Sequence, residues 1–197
     1  MRFWADERKH RKHSSESFKE ERAMRTTRFW TCASLVAAAL LLSSGVVRAE
    51  DISGLITTTR TITEHSRLVG DVTCRVTGAP CIRFGSSHID LRLNGFTMTG
   101  QADPITGCNG ATTAGETGIS TNGQTDVEVR GPGVVQQFRA DGILFMGTLL
   151  GKVEAVTTTT NCLSGIRVNA TSSRITLGAN VSVRNGSTVA GSFCGGI

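Results

Sequence analysis

Residues 88–100, HIDLRLNGFTMTG, alternate apolar and polar side chains, break at an Asn-Gly pair and alternate again. A period of two places Ile89, Leu91 and Leu93 on one face of a strand. The Asn-Gly pair supplies the left-handed backbone that a sharp corner needs. The same alternation returns in DVEVRG at 126, KVEAVT at 152 and RITLGA at 174, so Val127 with Val129, Val153 with Ala155, and Ile175 with Leu177 are expected to point inward. Third short runs follow at GFTMTG (95), GVVQQF (133) and NVSVRNG (180), and the unit after Lys152 is the least regular. All are short, rich in Val, Ile and Thr, and bounded by Gly, Asn, Ser or Asp, while no stretch after residue 50 holds a helical period.

Gly-Ile pairs give these runs a longer rhythm. They fall at Gly118, Gly142, Gly165 and Gly196, in steps of 24, 23 and 31 residues, with Cys81-Ile82 as an earlier variant 37 residues before Gly118. A repeat of that length that tolerates insertions marks units which cannot bury their apolar side alone and must stack. The pattern predicts an all-β chain wound as a parallel β-helix, a solenoid of about 23 residues per coil with three short strands in each. Ile82, Ile119, Ile143 and Ile166 should then form one interior column. Asn94, Asn122, Asn161 and Asn185 fall at corners, where Asn tolerates left-handed backbone and stacks on its equivalents.

The first 49 residues do not follow this rhythm. Residues 29–47, FWTCASLVAAALLLSSGVV, form an apolar run preceded by Arg25 and Arg28 and followed by Arg48-Ala49. This is the pattern of a secretory signal peptide, an apolar helix cleaved after Ala49. Its core is shorter than the roughly 20 apolar residues that span a bilayer. No stable transmembrane anchor is therefore expected after cleavage. Translation is expected to start at Met24, whose MRTTRFW resembles a normal signal-peptide start, and residues 50–197 are expected to be part of a β-helix domain whose C-terminal coils lie beyond Ile197. The expected address is secreted or periplasmic.

This division changes the meaning of the charge. Residues 50–197 carry eleven Lys and Arg against eleven Asp and Glu, so the formal net charge of +5 belongs to the leader. The remainder is neutral, has Lys152 as its one lysine, and lacks Tyr and Trp. That composition excludes the basic, aromatic signature of a nucleic-acid binder. Past the leader stand Cys74, Cys81, Cys108, Cys162 and Cys194, an odd number in a compartment where disulfides persist. Cys74 pairs plausibly with Cys81 across a short loop, and Cys162 with Cys194 ahead of successive Gly-Ile pairs, which leaves Cys108 as the odd thiol. No Cys or His spacing suits a zinc site.

The stretches SSHIDLRLNG, FTMTG, RGPGVVQQF, DGILF and NCLSGIRV make residues 68–197 resemble the right-handed parallel β-helix proteins of the pectin-lyase-like superfamily. The resemblance implies a fold more than an activity, because that superfamily spans pectate lyases, polygalacturonases, epimerases and non-catalytic surface proteins. The Asn-Thr-Asp, Asp-Asp and Gly-His-Gly segments of polygalacturonases are absent here.

Candidate chemistry lies on the outward side of the second strands. The alternation stacks Asp90, Glu128, Glu154 and Thr176 in one column, His88, Asp126, Lys152 and Arg174 in the next, with Arg92 and Arg130 beyond. A carboxylate ladder flanked by arginines suits Ca²⁺ or an acidic polysaccharide, with an Arg or the Lys as base. The same columns suit a solvated face whose unlike charges satisfy one another. Two functions remain open: an exported protein that binds or modifies polysaccharide, with lyase- or epimerase-like chemistry, or a non-catalytic extracytoplasmic scaffold.

Overall fold

The structure is a computed structural model that describes residues 49–103, 108, 115–186 and 196–197. The leader upstream of Ala49 and Cys194 lie outside the described residues. The described residues form strands and turns with no helix among them: β1 (Glu50–Ile56), β2 (Arg60–Ile62), β3 (Ser66–Cys74), β4 (Ile82–Phe84), β5 (Ile89–Arg92), β6 (Thr97–Thr99), β7 (Ile119–Ser120), β8 (Val127–Gln136), β9 (Ile143–Phe145), β10 (Gly151–Thr159), β11 (Ile166–Val168), β12 (Thr176–Gly178) and β13 (Val181–Val183). No helix among them is long and apolar enough to cross a membrane.

These strands make two sheets, and every pairing is parallel. The larger sheet runs β1-β3-β5-β8-β10-β12, with β6 between β3 and β8 and β13 against β10; the smaller runs β11-β9-β7-β4-β2. From β3 onward the chain passes back and forth between the two sheets. Each strand thus finds its partner one repeat away, which is what the Gly-Ile spacing encodes. The strands reach back to Glu50, earlier than the resemblance to the superfamily, which begins at residue 68.

The interior column exists. Ile82 pairs with Ile119, Ile119 with Ile143 and Ile143 with Ile166, and all four are fully buried. Leu91, Val129 and Val153 line up opposite on the larger sheet, with Leu177 partly buried at the end of that row. Each aliphatic row removes its whole length from water, and this apolar burial is the main favourable contribution to the fold. The glycine of the Gly-Ile pair has a packing reason. A Cβ on Gly142 would lie 2.6 Å from the Gly165 carbonyl oxygen, closer than any side-chain carbon can approach.

Two expectations about direction and register change. Ala155 is exposed, and Val156 takes the inward place. The register between β8 and β10 shifts between Glu154 and Val156, and Ala155 sits in left-handed backbone at φ 56°. Strand β8 sets Gly131 and Pro132 opposite Ala155 alone, and this unequal count reverses the parity of β10 after that point. Opposite this bulge stands Gly131, where a Cβ would lie 1.8 Å from the Ala155 carbonyl oxygen.

The disulfides correct the cysteine pairing in part. Cys74 bonds Cys81 as expected, but Cys162 bonds Cys108, so Cys108 is not the odd thiol and Cys162 does not wait for Cys194. Cys108 and Cys162 meet in a small buried cluster with Ala102, which ties Cys108 to the turn before β11. Two disulfides fit an oxidising compartment. Among the corner asparagines, Asn94 and Asn122 do adopt left-handed backbone. Asn161 stacks on Asn185, donating from its backbone N–H at 3.0 Å and from Nδ2 at 2.9 Å to Asn185 Oδ1. Their role is structural.

Candidate functional site

Every residue of the expected charged face lies on or beside the larger sheet, in a different order from the one expected. Asp90 on β5 pairs with Glu128 on β8, which pairs with Lys152 on β10, which pairs with Thr176 on β12. Arg67, Arg92 and Arg130 stack in the neighbouring column, closed by Asp51 at one end and Glu154 at the other. Strand β10 therefore sits two residues from its expected register, with Lys152 where Glu154 was placed. A slip of two leaves every inward side chain inward, so the apolar alternation cannot detect it. Charge can: the realised register sets a lysine beside Glu128 and a carboxylate beside Arg130, where the expected one stacked carboxylates.

The result is a face that satisfies itself. Arg92 Nε donates to Asp90 Oδ2 at 2.7 Å, the His65 ring lies against Asp90 Oδ1, and Arg130 Nε stands 3.9 Å from the same carboxylate. Burial pushes the Asp90 pKa up, but hydrogen bonds from Arg92 and His65 and their charges outweigh it and hold the group below the usual carboxylate range. Arg130 reaches Glu128 Oε2, and Lys152 Nζ lies 3.1 Å from Glu128 Oε1 and donates to Glu154 Oε2 at 2.6 Å. The Lys152 contact lowers the Glu154 pKa, and the two carboxylates raise that of Lys152. His88 stands apart, exposed, in left-handed backbone at φ 61°, with Nδ1 3.0 Å from Asp126 Oδ2.

Calcium requires six to eight oxygen ligands, and here the carboxylate oxygens already receive guanidinium and ammonium groups. Among the described residues no group of three His, Cys, Asp or Glu side chains is placed to hold a metal ion. The face can hold the rungs in register; it offers few unsatisfied charges to a ligand.

The smaller sheet presents the opposite arrangement. Its outward column runs Arg83 on β4, Ser120 on β7, Leu144 on β9 and Arg167 on β11. Loops on either side rise around this column and enclose a cleft of about 480 Å³, with Ala79 and Pro80 on one wall and Leu163 and Met146 also lining it. Three strand spacings separate the two arginines, about 14 Å at the backbone. Arg83 is half-buried and makes no side-chain hydrogen bond or ion pair among the described residues. It is a cation that lines the groove with no ionic partner among the described residues.

Asp141 sits in the same cleft. It is 2% exposed, its Oδ1 accepts the Ser164 N–H at 3.1 Å, and its Oδ2 accepts from Arg167 Nη1 at 3.4 Å. Burial raises its pKa above the usual aspartate value, and the Ser164 hydrogen bond and the Arg167 charge only partly offset this. Among the described residues lining the cleft, Asp141 is the one carboxylate. A concave, partly apolar groove with few convergent polar groups and a perturbed carboxyl is the ordinary anatomy of a ligand site. Sequence reasoning missed it because Arg83, Asp141 and Arg167 lie on separate repeats. The signal was present in the Gly-Ile alignment: the residue after each paired Ile is Arg83, Ser120, Leu144 or Arg167, one vertical row.

Comparison of the chain with known protein families, with curated proteins and with solved structures found no match.

Proposed function

We propose that the chain is an exported parallel β-helix, similar to the pectin-lyase-like proteins, that binds an anionic polysaccharide in the cleft over its smaller sheet. The observation that carries this reading is the row Arg83, Ser120, Leu144, Arg167, with two guanidiniums at its ends and one buried carboxylate beside it. An extended acidic glycan presents charge at regular intervals, and Arg is the side chain best shaped to grip carboxylate or sulfate oxygens in a fork. The strand-to-strand repeat lets a linear chain meet equivalent positions on successive rungs. Support for the winding comes from the two parallel sheets and from strands that alternate between them at the Gly-Ile interval. The signal-peptide pattern and two disulfides support export.

Binding is the activity proposed, and no reaction step is assigned. Hydrolysis of a glycosidic bond conventionally uses two carboxyl groups, and the cleft lining contributes Asp141 alone. The test is a titration of the protein with polygalacturonate, dextran sulfate and neutral dextran. Both anionic chains are expected to bind and neutral dextran is not. Arg83→Glu should weaken binding by about a hundredfold, since it removes one charge-assisted contact and adds a repulsive one. Arg92→Glu on the saturated face should change it by less than about threefold. Equal losses in the two variants, or equal binding of neutral dextran, would sink the cleft as the site.

A further inference from the structure

Asp141 and Arg167 are placed so that a proton decides how much positive charge the cleft displays. With Asp141 ionised, Arg167 Nη1 is drawn to Asp141 Oδ2 and the cleft carries two guanidiniums against one carboxylate. Protonation of Asp141 would remove that attraction and leave both guanidiniums uncompensated. Arg167 is half-exposed, so it has room to turn. Asp141 is not: its backbone carbonyl accepts the Gly118 N–H at 3.0 Å and its Oδ1 is held by Ser164.

We infer that Asp141 is a proton-operated latch on Arg167, so that the cleft grips anionic glycans more tightly in acid than at neutral pH. This rests on the cleft being the glycan site. The charged groups around Asp141 are few. Arg167 faces it from β11 and Arg83 lines the same cleft from β4, while strands β7 and β9 contribute Ser120 and Leu144 to the lining. Glu116 is engaged elsewhere: Arg139 Nε donates to its Oε2 at 2.6 Å, the Gly78 N–H donates to its Oε1 at 3.0 Å, and its side chain is 4% exposed. The latch therefore has one moving cation and one titrating carboxyl. Burial of Asp141 raises its pKa from the ordinary aspartate value, and a sulfate ester keeps its charge throughout this range.

Dextran sulfate is the probe, because its own charge does not titrate in this window. Its affinity for the whole chain is measured from neutral pH down to about pH 3.9, the ordinary aspartate value, below which a raised carboxyl is already protonated. The wild-type protein is expected to bind about tenfold more tightly at the acid end, the effect of one charge-assisted hydrogen bond. Asp141→Asn, which can still accept from Ser164, should bind at neutral pH as the wild type binds in acid and lose most of the pH dependence. Arg167→Gln should bind weakly throughout and show no acid gain. If dextran sulfate binds the wild type equally at all pH values, or Asp141→Asn keeps the full acid gain, the latch is overturned while the cleft stands. If no variant binds at any pH, the glycan reading falls and takes the latch with it.

Discussion

The two sheets carry similar chemistry to opposite ends. The outer face of the larger sheet is crowded with charge, yet Asp90 receives Arg92 and His65, Glu128 receives Arg130 and Lys152, and Glu154 receives Lys152. Among the described residues lining the cleft of the smaller sheet, the charged ones are Arg83, Arg167 and Asp141, and Arg83 has no ionic partner among the described residues. A count of charged residues favours the first face as a site. The pairing of those charges favours the second, because a ligand gains only from charges that the protein has left unsatisfied. The two aspartates summarise the contrast: both are buried, but Asp90 is held ionised by its neighbours and Asp141 is pushed toward its neutral form.

The largest expected effect tests whether the two faces share one support. Ile143 lies in the buried column directly behind the cleft, and its row packs in the same core as Leu91 and Val129. Ile143→Ala should cost about 2–5 kcal/mol of stability, read from a denaturant melt. Both faces should lose protection together in hydrogen exchange; loss confined to the smaller sheet would show that the sheets are separately stable.

A smaller effect separates the aspartates by sign. Asp90→Asn should destabilise the protein at neutral pH by about 1 kcal/mol, since it removes a charged acceptor whose partners are half exposed. Asp141→Asn should raise the melting temperature at the same pH, because it replaces a carboxylate that burial penalises with a neutral amide. The pH dependences oppose each other as well. The Asp90 pKa is lowered by folding, so its contribution is present above the unfolded aspartate value, about 3.9, and is lost as pH falls through the folded value. The Asp141 pKa is raised by folding, so the folded state gains stability as pH falls through that raised value toward the unfolded one. Melting curves of the two variants across this range should diverge from wild type in opposite directions; parallel curves would erase the contrast. The smallest effect belongs to Glu154→Ala, whose exposed contact to Lys152 is screened by salt. Its melting temperature should match wild type within error at high ionic strength.

Alternation with a period of two, aliphatic choice at Ile82, Ile119, Ile143 and Ile166, and glycine before three of them were sufficient to predict parallel strands and an interior column, because each is a local property repeated along the chain. The pairing of Cys74 with Cys81 was legible for the same reason, a short loop between them. Register on the outer face was not. Moving β10 by two residues changes no inward side chain, so the choice between a carboxylate ladder and a neutralised mosaic belongs to strand pairing and to the bulge at Ala155. Nor could the chain alone announce the bond between Cys108 and Cys162, 54 residues apart, or the cleft, whose arginines and aspartate come from three different repeats. Period and composition determined what each rung is made of; only stacking decided which charges meet, and that determines which face has charge to spare for a ligand.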